Sequence, residues 1–135
     1  FFVYDFHLKD KITFLDLIPQ EKVYEKMLDS DFFLLPSVEE GIANVCIEAM
    51  LSKLPVLSTD CGGMSELIVD NETGFLVPTR NPKALADKIS IFSKLQEIDI
   101  LQLVNAAYIK ATTQHTSKQM VDGMISLYKK MYENN

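Results

Sequence analysis

Four short, mostly apolar runs punctuate the first part of this chain: Ile12-Thr13-Phe14-Leu15, Phe32-Phe33-Leu34-Leu35, Pro55-Val56-Leu57-Ser58 and Phe75-Leu76-Val77. A strand open to water on one face alternates apolar and polar side chains, whereas a strand apolar at successive positions is covered on both faces. Such strands build parallel sheets, because parallel neighbours need a long crossover and a helix is the usual one. The pattern therefore predicts an α/β chain: a partial Rossmann-like, doubly wound parallel sheet of about four strands, followed by C-terminal helices.

The helical segments fit between and after these runs. Gln20 to Leu28 places Val23, Met27 and Leu28 on one face, and Asp29-Ser30-Asp31 breaks it. A second helix is expected from about Ala43 to Ser52, starting near Ile42 or Ala43. Thr59-Asp60-Cys61-Gly62-Gly63 reads as a turn that opens a short helix through Ser65-Glu66-Leu67, and Asp70 to Gly74 as another turn. From Pro82 to residue 133 the spacing is purely helical: Leu85, Ile89 and Phe92, then Ile100, Val104, Ala107, Tyr108 and Ala111, then Met120, Met124, Leu127, Tyr128 and Met131. The last stripe reads either as core packing or as a surface that docks on another domain.

The chain has 135 residues, enough for one domain over 1–135 and too few for two, and 47% hydrophobic content supports a core. A net charge of −6 with 13 scattered basic residues argues against a nucleic-acid surface, which needs clustered Lys and Arg. No apolar run approaches the roughly 20 residues of a membrane-spanning helix. A cytoplasmic protein is the expectation, with peripheral membrane contact left open. Cys46 and Cys61, with His7 and His115, are too few and too poorly spaced for a disulfide framework or a zinc site, so no metal is expected. The opening Phe1-Phe2-Val3-Tyr4, apolar and without Met, reads as the start of a piece of something larger.

The chemistry concentrates where the second run gives way to the second helix. Glu40 and Glu48, eight residues apart, flank that helix start, one on the loop and the other about one and a half turns down the helix. Between them lie the unpaired N–H groups and the positive end of the helix dipole. Carboxylate, anion site, carboxylate is a layout that suits a nucleotide diphosphate sugar: hydroxyls, diphosphate, hydroxyls.

The stretch Leu35-Pro36-Ser37-Val38-Glu39-Glu40-Gly41, then Asn44-Val45, Glu48-Ala49-Met50, Pro55-Val56-Leu57, Asp60-Cys61-Gly62-Gly63, Glu66-Leu67-Ile68 and Thr73-Gly74-Phe75-Leu76-Val77 resembles the donor-binding domain of retaining glycosyltransferases built from two facing Rossmann-like domains, the GT-B enzymes of group 1 or family four. The match is best over residues 11–77, and the helices of 82–133 fit more loosely. The resemblance implies that Glu40 hydrogen-bonds the donor sugar near the reacting carbon and that Gly41, Ile42 and Ala43 offer backbone groups to that sugar. It implies further that Asn44 and Val45 present N–H groups to the diphosphate and that Glu48 accepts from both ribose hydroxyls. A cis-diol has two donors and a carboxylate two acceptor oxygens, so the last assignment is chemically matched. The implied reaction is sugar transfer to an acceptor hydroxyl with retention, without a metal or other cofactor, in glycan or cell-surface polysaccharide synthesis.

The chain also departs from the family's pattern. Lys53 stands where the family commonly has Gly, and Asp16 where a Gly often follows the first strand. The segments that bring an Arg and a Lys to the diphosphate, and the N-terminal acceptor domain, have no counterpart here. Without the two strands that normally separate them, the run at Ile12 is expected to pair with the run at Phe32 or to sit at the sheet edge. A nucleotide-sugar epimerase of the same architecture and a non-catalytic nucleotide-sugar binder or interaction module are the alternatives. The Asp60-Cys61-Gly62-Gly63 turn reads equally as a simple strand end or as part of the donor pocket's wall.

Overall fold

The runs at 32–35, 55–58 and 75–77 become the strands of one parallel sheet in a computed structural model that describes residues 5–133. They are β1 (Phe33–Leu35), β2 (Val56–Asp60) and β3 (Phe75–Pro78), in spatial order β1-β2-β3. Phe33 faces Val56 and Leu35 faces Ser58 across the first pair, and Leu57 faces Phe75 across the second. The helices are α1 (Gln20–Leu28), α2 (Asn44–Leu51), α3 (Met64–Leu67), α4 (Pro82–Phe92), α5 (Glu97–Gln114) and α6 (Ser117–Glu133).

Both faces of β2 are covered, as unbroken apolar strands require. On one side Val56 packs with Cys46, Ala49 and Met50 of α2, Met64 and Leu67 of α3, and Ala107 and Ala111 of α5. On the other, Leu57 packs with Phe75, Val77, Leu103 and Val104, sealed by half-buried α4 side chains such as Leu85 and Phe92. The two small residues of α5, Ala107 and Ala111, are almost fully buried and allow α5 to lie close to α2. The start of α4 has proline in its first turn, and the Asn81 side chain accepts from the Ala84 N–H at 3.0 Å.

The end of α2 shows what Lys53 does. Lys53 N–H donates to the Met50 carbonyl at 3.1 Å and Leu54 N–H to the Ala49 carbonyl at 3.0 Å, the paired bonds of a Schellman motif. That motif puts Lys53 in the left-handed region, φ 54°. The family's glycine at this place has a backbone reason, and Lys53 occupies a glycine's conformation while its ammonium sits 5.4 Å from the Tyr108 ring centroid.

One expectation is corrected and one of two alternatives is removed. The sheet among the described residues has three strands, because Ile12 to Leu15 forms none and neither pairs with β1 nor lines the sheet edge. Its side chains are exposed, Phe14 at 77% and Leu15 at 53%. A three-to-four-residue run becomes a strand only when a neighbour satisfies its N–H and C=O groups, and none of the described residues offers Ile12 to Leu15 such a neighbour. The methionine stripe of α6 is not core: that helix buries no residue, and Met120, Met124 and Met131 are all exposed. The apolar opening at residues 1–4 lies outside the described residues.

Candidate functional site at the start of α2

After Leu35 the chain leaves the sheet through residues 36–43 and enters α2 at Asn44. Two hydroxyls of β2 hold the beginning of that loop. Ser58 and Thr59 are buried; Ser58 Oγ donates to the Leu35 carbonyl at 3.3 Å, and Thr59 Oγ1 donates to the Ser37 carbonyl. Buried hydroxyls must find acceptors, so they fix the carbonyls of the strand as it departs. Ser37 Oγ in turn donates to Glu40 Oε1 at 3.3 Å, and Glu40 is half-buried.

At the helix start Ala43 supplies no side-chain cap. The N–H groups of Asn44 and Val45 have no acceptor among the described residues, so they remain available to an anion, with the positive end of the dipole behind them. Cys46, Ala49 and Met50 are fully buried and turn one face of α2 into the core. Asn44 and Glu48, four residues apart, therefore share an outer face about 6 Å apart along the axis. Glu48 Oε1 accepts from Gln20 Nε2 at 3.2 Å and lines a cleft of about 450 Å³ between α1 and α2, together with Tyr24 and Met27.

Glu40 is electrostatically close to the first turn of α2. Burial first, then the negative charge of Glu40 and the thiol of Cys61, push the Cys46 thiol up to about 12. Cys46 is thus a small apolar group at neutral pH and not a nucleophile.

Glu40 lies on the loop before α2, Asn44 and Val45 open the helix, and Glu48 lies a little over one turn down it. Gly41 and Ile42 are exposed beside them, and a Cβ on Gly41 would meet nothing within 4 Å, so packing within the chain does not demand glycine there. The Ala43 side chain is buried and Val45 is half-buried against the core, which leaves only their backbone groups to face a ligand. The contact of Gln20 with Glu48 had no signal in the sequence, whereas that of Ser37 with Glu40 has the three-residue spacing of a local loop contact and the seating of the 40–42 loop on Gly62 and Gly63 a Gly-Gly pair directly after a strand.

A parallel sheet covered on both faces, with a loop-to-helix junction at the C-terminal end of its edge strand, defines a Rossmann-like α/β domain of the kind that takes ligands at that end. The chain belongs to the Glycosyl transferases group 1 family, which it matches over residues 2–111. It is 35% identical over 116 residues to the amylovoran biosynthesis glycosyltransferase AmsK of Erwinia amylovora, covering 82% of this chain and 28% of that protein. It is 30% identical over 120 residues to the capsular polysaccharide biosynthesis glycosyltransferase CapM of Staphylococcus aureus, covering 89% and 26%. In fold it resembles Anabaena Alr3699/HepE in complex with UDP-glucose, with a TM-score of 0.81 at 22% identity over 92% of this chain and 35% of that one. The chain thus spans under a third of the length of these curated relatives. No helix among the described residues is long and apolar enough to cross a membrane.

Proposed function

We propose that this chain is the donor-binding part of a longer cytoplasmic glycosyltransferase, which moves a sugar from a nucleotide diphosphate sugar to an acceptor hydroxyl with retention and without a metal at the site. Family membership and relatives named for polysaccharide biosynthesis support transfer into a polysaccharide. The single observation that carries the site assignment is the open start of α2: two N–H groups, at Asn44 and Val45, with no acceptor among the described residues, Glu40 ahead of them and Glu48 one turn beyond.

In this assignment the diphosphate rests on the N–H groups of Asn44 and Val45, and its growing charge as it departs is stabilised by donors already aimed at it. Glu48 binds the ribose diol, for which Gln20 Nε2 is a stand-in partner on Oε1. Glu40, steadied by Ser37, holds hydroxyls of the transferred sugar, while Gly41, Ile42 and Ala43 offer backbone groups to it. The acceptor domain and the cations for the outer phosphate oxygens come from the remainder of the parent chain.

The test is a pair of substitutions in the full-length parent, assayed by nucleotide release from UDP-glucose, GDP-mannose and ADP-glucose. Glu40→Ala is expected to lower kcat far more than affinity for the released nucleotide. Glu48→Gln is expected to weaken that affinity by roughly 1–3 kcal/mol, the range for a hydrogen bond to a charged group. Equal losses of turnover and affinity in Glu40→Ala would reduce Glu40 to a structural role.

A further inference from the structure

We infer that Gly62 is a positioning residue for Glu40: its missing side chain is the seat on which the backbone of the Glu40 loop rests, and through it the turn after β2 sets where the Glu40 carboxylate points. The inference rests on the assignment of Glu40 to the donor sugar.

A Cβ built on Gly62 would lie 1.6 Å from the carbonyl oxygen of Glu40 and 2.8 Å from its carbonyl carbon. The obstructing atoms are backbone, so no side-chain rotation relieves the overlap. Either the 60–63 turn or the peptide of Glu40 has to move. Gly63 continues the same floor. Its N–H donates to the Gly41 carbonyl at 3.2 Å, and a Cβ there would come within 3.0 Å of Ile42 Cγ1 and 3.4 Å of the Gly41 carbonyl. Glu40, Gly41 and Ile42 therefore rest residue by residue on two glycines. Gly41 and Gly123, by contrast, have open space where a Cβ would stand.

Gly62 also has φ +53°, which alone would favour glycine in any tight turn. The two demands separate experimentally, because Asn tolerates the left-handed region but still carries a Cβ. A turn that needs only positive φ accepts Gly62→Asn; a seat for Glu40 does not. The remainder of the site is held independently, since α2 is anchored by Cys46, Ala49 and Met50 in the core and carries Asn44 and Glu48 with it.

The experiment compares Gly62→Asn, Glu40→Ala and the unmodified full-length parent. It measures kcat with the sugar nucleotide turned over fastest among UDP-glucose, GDP-mannose and ADP-glucose, and Kd for the matching nucleotide diphosphate. Gly62→Asn is expected to lower kcat by about 10²-fold, the cost of an ångström-scale misplacement of a reacting group, while Kd stays within about threefold. Unchanged kcat, or kcat and Kd changed by equal factors, overturns the inference. If Gly62→Asn does not fold, Gly63→Ala decides: its Cβ presses on Ile42 Cγ1 and meets the Gly41 carbonyl at 3.4 Å, a milder overlap than at Gly62, so a fall in kcat of several-fold with Kd retained is expected, and unchanged kcat is the contrary result. Should Glu40→Ala itself leave kcat intact, the assignment of Glu40 is what fails.

Discussion

Lys53 shows how one residue can keep a local structure while straining it. The Schellman end of α2 needs a left-handed residue, and a Cβ in that region costs about 1–2 kcal/mol. Replacing Lys53 by Gly or by Ala removes the contact with Tyr108 in both cases, so the two variants differ only by the Cβ. Lys53→Gly is expected to be more stable than Lys53→Ala by about 1 kcal/mol in urea unfolding of this chain, the reverse of the order within a helix. The opposite order would mean that the α2 end relaxes out of the motif. The sequence showed that a glycine was missing at 53, but only the backbone angle explains why one belongs there. The positions of Glu40, Asn44 and Glu48 around a helix start could be read from local spacing, but the roles proposed for them only from the family resemblance, and the Gln20–Glu48 contact depends on tertiary packing across 28 residues.

Elements were legible in proportion to how much of their stability is local. The helices α1, α4, α5 and α6 show a helical period in the sequence, and β1, β2 and β3 appear as apolar runs bounded by turns. The run at Ile12 has the same composition but no partner strand among the described residues, and composition alone does not make a strand. The junction of α5 and α6 carries a titration device of a simpler kind. His115 ends α5 with its Nε2 buried and unpartnered among the described residues. Burial, then the nearby charge of Lys110, lower its pKa below the ordinary 6.5, against a smaller opposing effect of Glu66. The unfolded chain then takes up the proton first, so stability present above pH 6.5 is lost as pH falls through the lower folded value. Wild type is expected to lose more urea-midpoint stability between pH 7.5 and 5.0 than His115→Gln; an equal or larger loss in the variant would refute this.

The proposed site lies at the C-terminal end of the edge strand β1, and apolar groups stay unburied elsewhere on the molecule. β1 is an edge strand, α6 buries nothing, and the exposed Phe14 and Leu15 precede α1. In the proposed function the open start of α2, between Glu40 and Glu48, is the donor pocket. The most direct measurement is a crystal structure of the full-length parent with the tightest-binding of UDP, GDP and ADP. The account predicts diphosphate oxygens within about 3 Å of the backbone nitrogens of Asn44 and Val45 and the ribose diol on the Glu48 carboxylate in place of Gln20. A nucleotide bound elsewhere, with those nitrogens untouched and Glu48 still on Gln20, would contradict it.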